Sequence, residues 1–332
     1  MIKGAHPHPL VPHPLDAVPS NLTGGVVAVG NFDGIHRGHR VLLERALSEG
    51  KRLGIPSVVL TFEPHPRTLF RPAEPVFRLT PLPAKARLFG ALGFDGLVVA
   101  TFDRAFSANT AEAFVEEILV GRLKLKDAVV GFNFHFGKGR AGNPEFLAAE
   151  GKRRGFAVTV LDRVADETGE PVSSTAIRAA LSEGDIAAAN RLLGYRWFAV
   201  GTVVRGDQRG RTLGFPTANL ALGEDCRLRH GIYAVLFQRA DGSVHDGVAS
   251  FGRRPTFGGG APLLETFVFD FEGDLYGEEV AVSFVGWIRP EAKFESADAL
   301  IAAMRDDTAK ARAILAEAGP GTALDRALSG VA

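Results

Sequence analysis

The sequence predicts a two-domain α/β protein, with a doubly wound parallel sheet first and an antiparallel β-barrel with a terminal helix second. Three observations carry this. The chain has 332 residues, enough for two domains at roughly 100–200 residues each. Its first half alternates near-continuous apolar runs with helical stretches, the pattern of a parallel sheet covered on both faces. After Gly194 the period changes to short strands separated by turns.

Residues 1–22 read as a flexible Pro/His-rich arm. Pro7, Pro9, Pro12, Pro14 and Pro19 each remove a backbone donor and fix φ, which disfavours helix and central strand. His6, His8 and His13 have no rigid frame on which to share a metal. The first domain is expected over 23–193. Val26–Val29, Ser57–Phe62, Gly96–Ala100, Ala128–Gly131 and Ala157–Leu161 are its strands. A helical stretch with Val41, Leu42, Ala46 and Leu47 on one side follows the first strand, and helices are expected near 84–92, 111–123 and 145–154. Ligands of such a sheet sit at the carboxyl ends of its strands. Small helices near 176–181 and 186–193 precede the second domain, expected over 194–318. Its strands are Phe198–Arg205, Ile232–Gln238, Val244–Phe251, Leu264–Phe271 and Val280–Ile288, with a helix over 297–318 and a tail over 319–332.

Composition excludes several classes. With 46% hydrophobic and 23% charged residues the chain can bury a full core, so wholesale disorder is excluded. Cys226 is the only cysteine, so no disulfide framework exists. No apolar run reaches the ~18 residues of a membrane helix. The Pro/His-rich start does not resemble a secretory signal. A cytoplasmic protein is expected. The 38 basic and 38 acidic residues cancel, which argues against a general nucleic-acid coat.

Gly30-Asn31-Phe32-Asp33-Gly34-Ile35-His36-Arg37-Gly38-His39 follows a strand and opens a helix. Free N–H groups and the helix dipole attract anions there, so Gly30, Phe32, Asp33, Gly34 and Gly38 are candidate phosphate-loop residues. His36 and His39 can both reach one phosphate chain. A zinc pair, which needs further ligands, and two surface histidines are the alternatives. Ser173, Ser174 and Thr175 precede a helix and either cap it or, with Arg178 one turn on, bind an anion. Phe132, Phe134 and Phe136 alternate with Asn133 and His135, as a half-apolar strand or as a wall for a flat ring. In the second half, Gly206, Gly210, Arg211 and Gly214 precede Phe215-Pro216-Thr217-Ala218-Asn219. Thr217 and Asn219 share one face of an extended segment. Their hard oxygens suit Mg²⁺ with substrate phosphates, unless the segment is only a turn.

These segments resemble the bifunctional bacterial riboflavin kinase/FMN adenylyltransferase family. The run His36-Arg37-Gly38-His39 is similar to the His-x-Gly-His signature of nucleotidyltransferases. Thr61–Pro66, Gly131–Gly142 and Ser173–Arg178 match the flavin branch in order. Pro216–Asn219, Gly247–Phe257, Leu264–Phe271 and Arg289–Phe294 match the riboflavin kinase half. The resemblance implies phosphorylation of riboflavin by ATP to FMN, then adenylylation of FMN to FAD with release of pyrophosphate. It implies Mg²⁺ at Thr217 and Asn219, and catalytic roles for Glu265 (the general base, or a structural ion-pair member), His36, His39 and Arg178. Gly30, Phe32, Asp33, Gly34, Gly38, Ser173–Thr175, Gly210, Arg211, Gly214, Thr217 and Asn219 would bind ATP. Phe62, Asn133, Phe134, Phe136 and Arg289 would contact flavin. Small molecules are then the partners, with neither nucleic acid nor membrane, and the chain is a monomer or weakly self-associating. Three positions depart from the usual pattern: Asn133 for Asp, Ser250 for Asn and Phe267 for His. One decayed half, or a nucleotide sensor, are the competing readings.

Overall fold

A computed structural model describes residues 9–162, 172–206, 215–253 and 262–330. The backbone divides into two units, 1–173 and 174–332.

The first unit is built on six parallel strands: β1 (Pro12–Pro14), β2 (Val26–Val29), β3 (Ser57–Glu63), β4 (Gly96–Thr101), β5 (Asp127–Gly131) and β6 (Ala157–Leu161). Their order is β1-β4-β3-β2-β5-β6. The central strands β2 and β3 are buried almost throughout, as the unbroken Val/Leu runs require. Helix α1 (Arg37–Leu53) follows β2 and ends on the left-handed Gly54. Helix α2 (Leu82–Leu92) precedes β4, and α3 (Pro144–Arg154), capped by the Asn143 side chain, precedes β6. The helix expected over 111–123 forms with a π-helical stretch, Phe114–Arg122.

The loose arm expected over 1–22 is corrected for its described part. Strand β1 pairs in parallel with the edge of β4, Pro12 opposite Leu97 and Pro14 opposite Val99. Proline is tolerated on an edge strand because only one row of donors is needed. Here the Leu10 and Leu15 amides reach the Ala86 and Val99 carbonyls. Leu22 is buried in the core, over Gly96, where any Cβ would collide with it. Of the two readings of 132–136, the half-apolar strand does not form. The chain turns after β5, with the Phe134 amide bonded to the Gly131 carbonyl.

The second unit begins with α4 (Ser174–Glu183) and α5 (Ile186–Leu193). Asn190 ties α5 to the sheet, its amide donating to the Phe284 carbonyl at 3.0 Å and its carbonyl accepting from the Trp197 amide at 2.8 Å. These helices, expected with the first domain, cluster with the second. The sheet contains β7 (Phe198–Thr202), β8 (Thr217–Ala221), β9 (Gly231–Gln238), β10 (Val244–Arg253), β11 (Pro262–Val268) and β12 (Glu279–Arg289), in the antiparallel order β7-β12-β9-β10-β11-β8. A bridge between Val204 and Asn219 brings the two end strands together and nearly closes a barrel. Helix α6 (Ala297–Glu317), capped by Ser296, packs on β9, β10 and β12. The expected tail over 319–332 instead contains helix α7 (Ala323–Ser329), opened by a Thr322/Asp325 capping box. It docks through Leu324, through Arg196 N–H to Asp325 (2.8 Å), and through the Gln238 amide to the Leu328 carbonyl (2.9 Å).

Candidate active sites

The loop between β2 and α1 is held in a demanding conformation. Phe32 and Ile35 lie in the left-handed region at φ 47° and 40°, with Gly34 at 93° between them. Such backbone persists only where the surroundings over-determine it. Thr80 supplies part of that. Its hydroxyl accepts from the Gly34 amide (2.8 Å) and donates to the Phe32 carbonyl (3.2 Å), while its amide donates to Asp33 Oδ1 (3.0 Å). Asp33 is therefore buried as a loop anchor. Two glycines serve the loop's own rings. A Cβ on Gly30 would press on the Phe32 ring at 3.0 Å, and one on Gly38 would press on His36 Nδ1 at 3.1 Å.

His36 is the N-cap of α1, its Nδ1 accepting from the His39 amide at 3.3 Å. The two imidazoles stack with centroids 3.8 Å apart, and Phe32 meets His39 edge-on at 5.5 Å. Burial pushes His36 down to about 4 against the pull of Asp33. Burial, then the charges of His36 and Lys85, hold His39 well below its ordinary value. Both rings are thus neutral at pH 7 and serve as hydrogen-bonding groups.

Phe62 and Phe136 are buried in the hydrophobic core with Phe114. Phe134 stacks on Phe136 at 5.2 Å and is only partly buried. Asn133 is exposed, its backbone carbonyl bonded to His135 Nδ1 at 2.9 Å. Ser173 belongs to the first unit, and Ser174, Thr175 and Arg178 to α4 of the second. No group of three metal-ligating His, Cys, Asp or Glu side chains occurs among the described residues.

In the barrel the register aligns two cross-strand rows. Ser250, Glu265 and Asn219 face one another across β10, β11 and β8, and Val248, Phe267 and Thr217 form the next row on the same face. Two cavities open on this face. One, of about 310 Å³, is lined by Phe215, Phe267, Phe294, Met304, Glu265 and Arg289, among others. The other, of about 810 Å³, is lined by Asn219, Arg205, Tyr276, Asp274 and their neighbours. Thr217 lines both. Arg289 is fixed by a bidentate ion pair to Asp307, at 2.7 and 2.6 Å. The Asn219 amide donates to the Thr217 carbonyl at 3.2 Å, while its buried Oδ1 has no hydrogen-bond partner among the described residues. A buried acceptor without a donor fits a cation, so Thr217 and Asn219 suit Mg²⁺. Gly206 makes room for this amide, since a Cβ there would lie 2.7 Å from Asn219 Nδ2. Gly210, Arg211 and Gly214 lie outside the described residues.

The sequence reading named most of these groups, Asp307 of the closing helix among them, but missed Thr80 and Lys85. A threonine in a connecting segment and a lysine within a helix give no local signal of what they hold.

An anion loop at a helix start in a parallel α/β unit, and an oxygen-rich row beside two cavities in a barrel, define a two-part nucleotide-dependent transferase. The comparisons with known proteins agree. The FAD synthetase family model matches residues 18–176, and the riboflavin kinase model matches 193–315. The bifunctional riboflavin kinase/FMN adenylyltransferase of Escherichia coli K12 is 40% identical over 300 residues, 90% of this chain and 95% of that protein. That of Bacillus subtilis is 33% identical over 308 residues, covering 91% and 96%. A crystal structure described as a macrolide-efflux protein from Streptococcus pneumoniae superposes with a TM-score of 0.78 at 31% identity, covering 91% of this chain and 99% of that one. The chain belongs to the bifunctional riboflavin kinase/FMN adenylyltransferase family. No helix among the described residues is long and apolar enough to cross a membrane.

Proposed function

We propose that the two units make FAD from riboflavin in successive steps, each using one ATP. The observation that carries the kinase step is that Thr217 lines both barrel cavities, with Glu265 on the smaller one. The smaller, apolar cavity takes the flavin ring, and the larger takes the nucleotide. Glu265 removes the proton from the ribityl 5′-hydroxyl. The oxygen forms a bond to the γ-phosphorus as the β–γ bridging bond breaks, giving FMN and ADP. Thr217 and Asn219 would hold Mg·ATP, and a bound Mg²⁺ would supply neutralisation of charge on the transferred phosphoryl group. Arg289, braced by Asp307, orients the flavin side of the cavity.

In the first unit the FMN phosphate attacks the α-phosphorus of a second ATP, and pyrophosphate leaves. The nucleophile is already an anion, so no strong base is needed. Gly30, Phe32, Gly34 and Gly38 carry the backbone that approaches the triphosphate, with Asp33 as anchor. His36 and His39 donate hydrogen bonds to it as neutral rings. The family resemblance assigns Ser173, Ser174, Thr175 and Arg178 to ATP phosphate binding. Phe134 and Asn133 contact the flavin, with Phe62 and Phe136 behind them. Functional limits of 23–193 and 194–318, a cytoplasmic location and a monomer or weakly associating state complete the proposal.

Incubating the protein with riboflavin, ATP and Mg²⁺ and separating the flavins tests it. FMN followed by FAD is expected, with neither product after EDTA. Flavin binding without turnover would overturn the enzymatic reading in favour of a sensor.

A further inference from the structure

Lys85 is 3% exposed on α2, a degree of burial that lysine almost never reaches unless paired. Its ammonium donates to Glu63 Oε1 at 2.8 Å and to Thr61 Oγ1 at 3.2 Å. An ammonium can only donate, so the Thr61 hydroxyl must accept from it and pass its own proton onward. That hydroxyl donates to the Asn31 carbonyl at 3.1 Å. Asn31 is the residue before Phe32, where the loop first enters left-handed backbone. Thr80 holds the far side of the same loop at Gly34.

From this directional chain we infer that Lys85 is a positioning residue for FMN adenylylation, acting through Thr61 to fix the Asn31 carbonyl and the path of loop 30–35. The inference rests on the functional reading of the first unit given above. An ion pair alone does not explain the arrangement, because an apolar residue of similar size serves stability as well at a buried position. The Lys85 charge also acts on His39, which stacks on His36, and the Asp33 charge acts on His36, while Glu63 has a second partner in Arg78 at 3.5 Å. Burial first, and then the charges of His36 and Lys85, oppose protonation of His39.

Full-length Lys85→Met and Thr61→Val separate the two effects. Thr61→Val keeps the shape of the strand and the Lys85–Glu63 pair but breaks the relay. FAD formation from supplied FMN and ATP should fall about 10²-fold in kcat in both variants, the scale expected for a misplacement near 1 Å. FMN formation from riboflavin in the same preparations should be unchanged, which reports an intact second unit. Amide exchange over residues 30–35 should accelerate in both. NMR titration should move His39 upward in Lys85→Met only, so a kcat loss shared with Thr61→Val, which keeps the charge, reports positioning and not the Lys85 charge. Wild-type kcat and wild-type loop exchange in both variants would overturn the inference. If Lys85→Met does not fold, Thr61→Val decides by the same criteria. If the wild-type protein makes no FAD, the functional reading fails and loop exchange alone decides this inference.

Discussion

Asn219 stands directly opposite Glu265 in the β8–β11 ladder, so a buried amide oxygen with no hydrogen-bond partner among the described residues and a carboxylate share one cross-strand row. In the proposed kinase site this row would set a metal-holding group beside a base, next to Thr217, which lines both barrel cavities. The kinase chemistry then follows from register: a shift of one residue in β11 would turn Glu265 to the other face.

Glu265→Gln keeps size and removes the base. FMN formation should fall by about 10²–10⁴-fold. FAD formation from supplied FMN should not change. Parallel assays of the two reactions check this, and equal loss of both would remove Glu265 from its role.

Gly206→Ala should mimic loss of Asn219. The added methyl would lie 2.7 Å from the Asn219 amide and must displace it. Kinase activity should drop, and the Mg²⁺ concentration for half-maximal rate should rise, as in Asn219→Ala. A Gly206→Ala enzyme with unchanged Mg²⁺ dependence would show that Asn219 does not act through the metal.

Folding stability should fall on acidification through the His36 window. Its folded value is about 4, below the ordinary 6.5, so the unfolded chain binds more protons between these limits. Stability is therefore fully present above pH 6.5 and is lost as pH falls toward 4. The loss from this group is roughly 3 kcal/mol. His36→Asn keeps an N-cap and removes the titration. Urea midpoints at pH 7 and pH 4.5 should differ less in this variant than in the wild type. An equal difference would contradict the assignment.

Asp307→Ala removes one half of a bidentate pair whose other half, Arg289, is partly exposed. The cost should be about 3 kcal/mol, at the low end for breaking a buried pair. The KM for riboflavin should rise with it, because Arg289 loses its brace. A melting curve and a riboflavin titration read both effects. A fall in stability without any change in KM would make the pair purely structural.

Much of this was legible in the chain. Val26–Val29 and Ser57–Phe62 announce buried parallel strands because both of their faces are covered. The Gly-rich turn Gly30–Gly34 after an apolar run announces a helix start, while the capping of that helix by His36 was not legible. Other features were not legible, for physical reasons. Pro12 and Pro14 disguise β1, since an edge strand does not need the donors that proline lacks. The alternation Phe132, Phe134, Phe136 imitates a strand, yet Phe134 and Phe136 stack beside a turn. Helical periodicity at 114–122 does not distinguish π from α turns. Thr80 and Lys85 matter only through bonds to residues 46 and 24 positions away, Gly34 and Thr61, which no local pattern records.

The most direct measurement is one incubation of riboflavin and Mg²⁺ with ATP labelled at either the α- or the γ-phosphorus, followed by isolation of FMN and FAD. The two-site account predicts γ-label in FMN and in the flavin-side phosphate of FAD, and α-label in FAD alone. FAD without γ-label, or α-label in FMN, would contradict it.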